Sequence, residues 1–429
     1  MKKAVLITSL MLFSMFFGAG NLIFPPMLGL SAGTNYLPAI LGFLTTGVLL
    51  PVLGIIAVVV SGENVKDMAG RGGKIFGIFF PIAAYLSIGA FYALPRTGAV
   101  SYATAVGVDN AFYSGIFNFI FFAVALALSW NPNGISDKLG KWLTPLLLLL
   151  IVVLVALSML KLHGTPGAPN EVYAAQPAGA GLLEGYMTMD TIAALAFGIV
   201  VISAFKYQKV QKVRTATVLS AFIAGGLLAA VYLGLGQIGQ VIEGDFANGT
   251  EILNTAALIT MGEPGRIIFV AILILACMTT AVGLIGATSE FFNSLLPGIS
   301  YHTWAVIFAL VSFGVATTGL ETVLAIAAPV IGFIYPAAIT LVFLTLIEPL
   351  LFRFKWTFLF GIWVSVIWAL FMTIPALTPY VEWAPLHSMS LGWIVPVLLA
   401  SVIGMVLDVK NGNKKSSPRV GKKATVAVS

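Results

Sequence analysis

The stretch of this chain best suited to binding chemistry is Phe17-Gly18-Ala19-Gly20-Asn21, followed by Pro25-Pro26, inside an apolar run from about residue 4 to residue 30. Glycine lets a helix come apart, and proline withholds the amide needed to resume it in register. Bare backbone at membrane depth is tolerated only where it is buried in protein or lines a cavity. There the amides that open the second half-helix form a positive end able to hold a carboxylate, and the carbonyls that close the first half can hold Na⁺. A kinked helix whose glycines only permit close packing is the other reading, and the residue pattern leaves both open.

Two further segments could take part. Met187–Phe205 carries Asp190, Thr191, Leu195-Ala196-Phe197-Gly198 and Ser203, with Gly198 as its one breaker. Taken alone this is an ordinary helix with a packing glycine. Its interest is positional, because it lies five spans after the first, the offset of a five-helix inverted repeat whose two broken helices face each other. Cys277-Met278-Thr279-Thr280-Ala281 offers vicinal hydroxyls. These are hard oxygen ligands that could complete a cation shell with carbonyls from another helix. The commoner fate of such threonines is a bond to their own i−4 carbonyls.

Charges within spans are functional hypotheses by default. Arg96, in Leu94-Pro95-Arg96-Thr97, lies in the outer half of a span, where it could meet a carboxylate or line an outer vestibule. Snorkelling or structural pairing competes with that reading. Asp190, Glu290 and Glu321 fall near span ends and read as interfacial. Cys277 and the scattered methionines read as core packing. The three histidines, His163, His302 and His387, are far apart, and no HExxH, CxxC or G-x-S-x-G pattern accompanies them. The chain offers no enzyme constellation.

The elements that must position these residues follow from composition. Of 429 residues, 9% are charged and 59% hydrophobic, against roughly 25% charged in a soluble domain. Such a chain cannot cover its own surface in water. Apolar runs of about 20 residues select a helix bundle over a barrel of ten-residue strands. Twelve spans are expected, near 4–30, 36–60, 75–105, 110–130, 143–160, 186–206, 215–238, 265–292, 302–318, 321–347, 356–374 and 389–408. Lys2-Lys3 and the apolar stretch after it could pass for a leader, but the apolar character continues to about Leu30 with no polar region following, so it reads as the first span. Nineteen of the 22 Lys and Arg fall at the termini and in alternate connectors, leaving Lys161 and Arg266 opposite and Arg96 within a span. The positive-inside rule then places both termini in the cytoplasm. The membrane-spanning unit is 1–408, a single domain, with a basic, aperiodic tail at 409–429 read as disordered and able to touch anionic lipid. The net charge of +6 has no basic globular domain to carry it, so nucleic acid is excluded as a partner. The connectors 162–185 and 239–264 read as outside loops, with a short surface helix possible at Glu251 to Met261.

At these residues the chain resembles the bacterial branched-chain amino acid:cation symporter family, over about 4–408. The resemblance is strongest in Phe16-Phe17-Gly18-Ala19-Gly20-Asn21-Leu22-Ile23-Phe24-Pro25-Pro26, in Gly185 to Asp190 leading to Phe197-Gly198-Ile199, and in Ala276 to Ile285. It implies the leucine-transporter fold within the amino acid–polyamine–organocation superfamily: an all-α integral membrane protein of 12 transmembrane helices. Helices 1–5 and 6–10 would form inverted repeats, about 4–160 and 186–347, with extra helices at about 356–408. Helices 1 and 6 would be discontinuous. It further implies a carboxylate held by the Ala19 and Gly20 amides, with Asn21 orienting it or serving a second cation. Carbonyls of a helix-6 break at Ala196–Gly198 would meet the ammonium, with Phe197 walling the aliphatic chain. Na⁺ would be held by Ser14 and Phe17 carbonyls and the Thr279 and Thr280 hydroxyls. The helix-1 outer-gate arginine common in the wider fold is missing after Asn21, and Arg96 is the candidate to replace it. The implied activity is Na⁺-coupled import of leucine, isoleucine and valine across the bacterial inner membrane. A proton-coupled or exchange carrier on the same fold is the first alternative, and a membrane-embedded sensor or channel the second.

Overall fold

The computed structural model describes residues 1–62, 65–108, 110–351 and 353–411, so most of the basic tail lies outside the described residues. Every regular element among the described residues is helical. The first half of the chain contains α1 (Lys2–Phe16), α2 (Ala19–Ala32), α3 (Tyr36–Leu44), α4 (Leu50–Ser61), α5 (Lys74–Leu86), α6 (Ala93–Ala105), α7 (Ala111–Ser129) and α8 (Thr144–Lys161). The second contains α9 (Pro177–Met187), α10 (Asp190–Tyr207), α11 (Val213–Val241), α12 (Gly249–Met261), α13 (Glu263–Leu295), α14 (Tyr301–Ala316), α15 (Leu320–Ile347), α16 (Trp356–Thr373) and α17 (Ile394–Lys410). Helices overlie each expected span, and nine helical stretches among the described residues are long and apolar enough to cross a bilayer.

The first span divides where its glycines allow. The Phe17 amide closes α1 on the Phe13 carbonyl at 2.9 Å, and the Gly18 amide turns back to Phe16 at 2.8 Å. Gly18 is extended (φ −108°, ψ −166°), and α2 starts at the next residue. The expectation for the prolines is corrected: Pro25 and Pro26 lie inside α2 and do not keep the helix from resuming. They withhold the i+4 donors of the Asn21 and Leu22 carbonyls. Tertiary packing holds the helix in spite of them. A Cβ on Gly239 of α11 would collide with the Pro26 carbonyl, and one on Gly29 with the Gly236 carbonyl, so the two backbones meet through small residues as membrane helices do.

The sixth span also divides, but not where the sequence placed the break. Ala196, Phe197 and Gly198 sit in the middle of unbroken α10, and the interruption falls at Thr188-Met189, between α9 and α10. Met189 takes the left-handed conformation at φ 61°, which a non-glycine residue adopts at a cost of roughly 1–2 kcal/mol. The first half of this helix occupies the end of what read as the outside loop 162–185. It packs on α3, where Gly42 and Gly181 bring the two backbones together. The short helix expected in the next outside loop is α12, and it packs on α2 and α13.

α1 and α10 pack on each other, and both pack on α11 and on α13. α16 and α17 pair with each other, and α16 leans on α15. The third span is interrupted too: a π-helical turn at Ser87–Phe91 leads to Tyr92, which separates α5 from α6.

Candidate functional site

The two interruptions line one shared cavity. Gly18, Ala19 and Asn21 reach it from the first break, and Thr188, Met189 and Asp190 from the second. Arg96, Phe197 and Thr280 complete the part of the wall that bears on chemistry.

On the α1 side an oxygen-rich cluster adjoins the cavity, with Met15 and Thr280 in the wall. The Thr279 hydroxyl donates to the Ser14 carbonyl at 3.0 Å, sharing this with its own Ala276 carbonyl at 3.0 Å. Thr280 reaches the Met15 carbonyl at 3.1 Å and that of Ser14 at 3.4 Å. A Cβ on Gly18 would lie 2.9 Å from the Thr280 hydroxyl, so glycine there is what admits this approach. The structure brings Ser14, Thr279 and Thr280 together. Met15 supplies the second carbonyl in contact with the threonines. Phe17 contributes a ring instead, stacked on Phe13 (centroids 5.4 Å apart) and on Tyr232 (6.2 Å). Neutral carbonyl and hydroxyl oxygens converging from two helices form a donor set of the kind a hard monovalent cation takes.

On the α10 side the central group is Asp190. Its residue is 7% exposed, not interfacial as its place in the sequence implied. The Asn21 amide donates to the Asp190 carboxylate at 2.7 Å and also to the Tyr232 hydroxyl, so one side chain ties both breaks together. Asp190 is the first residue of α10, a position where an ionised carboxylate would complement the helix dipole. Phe197, one α10 residue the sequence singled out, lines the cavity and meets Phe16 edge to face at 5.4 Å. Its neighbors serve elsewhere. The Ala196 carbonyl accepts the Tyr85 hydroxyl at 3.3 Å, and Gly198 faces Val58 of α4, where a Cβ would sit 2.7 Å from a methyl.

Arg96 is in the cavity wall. Its guanidinium lies 4.6 Å from the Tyr92 ring centroid, donates to the Tyr92 hydroxyl, and would stand 2.9 Å from a Cβ on Gly20. The Gly20 position therefore faces a cation. The Ala19 amide is within reach of the Cys277 sulfur on α13. Away from the cavity, Glu290 accepts from the Ser203 hydroxyl, and Glu321 is exposed.

Sequence reasoning missed Thr188, Met189, Met15, Tyr232 and the burial of Asp190. One signal was present: Gly185 to Asp190 was part of the motif, and an acid directly after it can open a helix. Nothing local marks Met189, which is neither glycine nor proline.

A helix bundle with two helices interrupted across a shared central cavity is the architecture of a multi-span membrane transporter. The chain aligns with a solved nucleobase-cation-symport-1 family transporter, in a closed conformation with bromovinylhydantoin bound. The TM-score is 0.57 at 16% identity, covering 95% of this chain and 93% of that one. This likeness establishes the fold. The family model described as branched-chain amino acid transport protein matches residues 1–411, and the chain belongs to that family. It is 81% identical over 427 residues to the branched-chain amino acid permease BrnQ of Corynebacterium glutamicum, covering 100% of both chains. It is 36% identical to the permease BraB of Bacillus subtilis, covering 96% of this chain and 97% of that one. It is 37% identical to the branched-chain amino acid transport system 2 carrier protein of Pseudomonas aeruginosa, covering 93% and 94%. These relatives are named as permeases and carriers, not enzymes.

Proposed function

We propose that this protein imports leucine, isoleucine and valine across the bacterial cytoplasmic membrane, each with Na⁺, by alternating access. Relatives named for branched-chain amino acids support the substrate class. The observation that carries the coupling is the meeting of the Thr279 and Thr280 hydroxyls with the Ser14 and Met15 carbonyls. A Na⁺ there would be held by Ser14, Met15, Thr279 and Thr280, and would fasten α1 to α13. Its departure to the cytoplasm would free α1 to move. The reading has 12 spans in two inverted five-helix repeats plus two extra helices. Both termini lie in the cytoplasm, where the positive-inside rule puts the basic connectors.

The substrate carboxylate would face Gly20 and Arg96, and the aliphatic chain would lie toward Phe197. Arg96 then closes the cavity from outside. One charge moving through 100 mV is worth about 2.3 kcal/mol, and a tenfold Na⁺ gradient adds about 1.4 kcal/mol. Together they support accumulation of roughly 500-fold. An aliphatic pocket separates side chains that differ by one methylene by only about 1–3 kcal/mol, so one site serves all three substrates.

Purified protein in liposomes with separately imposed ion gradients tests this. Saturable leucine uptake should require an inward Na⁺ gradient, and Thr280→Ala should abolish Na⁺ stimulation while the protein stays folded. Uptake driven by ΔpH without Na⁺ would replace the cation by a proton, the reading favored by a carboxylate, Asp190, in the cavity wall.

A further inference from the structure

We propose that the Asp190 carboxylate is the counter-ion of the substrate's ammonium group. The proposal rests on the amino-acid transport reading above. The helix-6 carbonyls first expected to meet the ammonium, those of Ala196–Gly198, lie within unbroken α10, and that of Ala196 also accepts the Tyr85 hydroxyl. Asp190 lines the cavity one residue beyond the true break. Its hydrogen-bond donors, Asn21 at 2.7 Å and Thr188, are neutral. A carboxylate can accept about four hydrogen bonds, so acceptor sites remain for an ammonium. Arg96 acts on it only through space, and a buried charge whose bonded donors are all neutral is costly until a cation binds it directly.

The placement of the opposite charge supplies the second half of the argument. Arg96 stands beside Gly20, and Asp190 is bonded to Asn21. A cation and an anion thus flank consecutive residues of the first turn of α2. An α-amino acid presents an ammonium and a carboxylate on one carbon, which is the complement of that arrangement. Phe197 lies farther along α10 from Asp190, on the same cavity wall, where an aliphatic side chain would extend. The geometry therefore reads the zwitterion as a dipole of fixed sense, and Asp190 rejects ligands that lack the amino group.

The test is competition against radiolabeled leucine on the full-length protein at saturating Na⁺, comparing leucine with 4-methylpentanoate, which is leucine without its amino group. Wild type should prefer leucine strongly. Asp190→Asn should weaken leucine by at least about 30-fold, the lower end for unpairing a buried charge, and leave 4-methylpentanoate as weak as before, so that the preference collapses. Asp190→Glu should retain the preference. Should Asp190→Asn fail to fold, Asp190→Ser gives the same reading. Equal weakening of both ligands would assign Asp190 to holding the break, and an altered Na⁺ requirement with leucine affinity intact would assign it to the ion. Either result overturns the proposal. Wild type that binds no leucine would instead sink the transport reading itself.

Discussion

The helix that begins at Trp356 and the half-helix that begins at Ala19 both start inside the protein, yet their first amides are finished differently. At α16 the Asp408 carboxylate, reaching over from α17, accepts the amides of Lys355, Trp356 and Thr357, each at 3.0 Å, and the Thr357 hydroxyl at 2.8 Å. At α2 the N-cap is Gly18, which has no side chain to cap with, and at α10 it is Met189, which makes no side-chain cap bond. Helix starts leave several amides without partners inside the helix. In α16 the chain satisfies them itself and gains a fixed hairpin. In α2 and α10 no side chain caps the start, and the residues at both starts line the cavity. The contrast separates a helix start closed by the chain's own carboxylate from helix starts that border the cavity.

Three substitutions would sharpen or break this contrast. The largest effect is expected at the capped end. Asp408→Ala should cost about 2–3 kcal/mol of stability, the worth of a strong cap bonded to several donors. A lower thermal midpoint in detergent, with leucine affinity of the folded fraction unchanged, would be the signature. An equal loss of affinity would erase the distinction between the two regions. Next comes Gly20→Ala. Its Cβ would press on the Arg96 guanidinium at 2.9 Å, so leucine affinity should fall about tenfold, or about 1.4 kcal/mol, with little change in thermal midpoint. The smallest is Gly198→Ala, which crowds a Val58 methyl at 2.7 Å. It should cost about 1 kcal/mol of stability, the low end for overpacking, and leave leucine affinity alone. A selective affinity loss there would return the helix-6 site to Ala196–Gly198.

Some of this was legible before any coordinates. The first break was readable because its cause is local: glycines at Gly18 and Gly20 release the helix whatever surrounds them. The second was misplaced because Gly198 was the only local breaker in its segment, and that glycine serves packing on α4. The Met189 turn depends on the packing of α9 against α3, contacts more than 130 residues apart in sequence, as Thr46 bonding to the Leu182 carbonyl illustrates. Asp190 read as interfacial for the same reason, since hydropathy windows place a residue along the chain and not within the bundle.

Sequence by itself determined the class of molecule, the helix segments and the place where the first helix could part, because apolar run length and backbone freedom are properties of neighboring residues. Tertiary structure alone decided that Asn21 bridges to Asp190, that Arg96 stands over Gly20, and that Met15 and not Phe17 meets Thr280. Those are encounters between segments distant along the chain, fixed by which helix surfaces can approach most closely, and no local pattern encodes them.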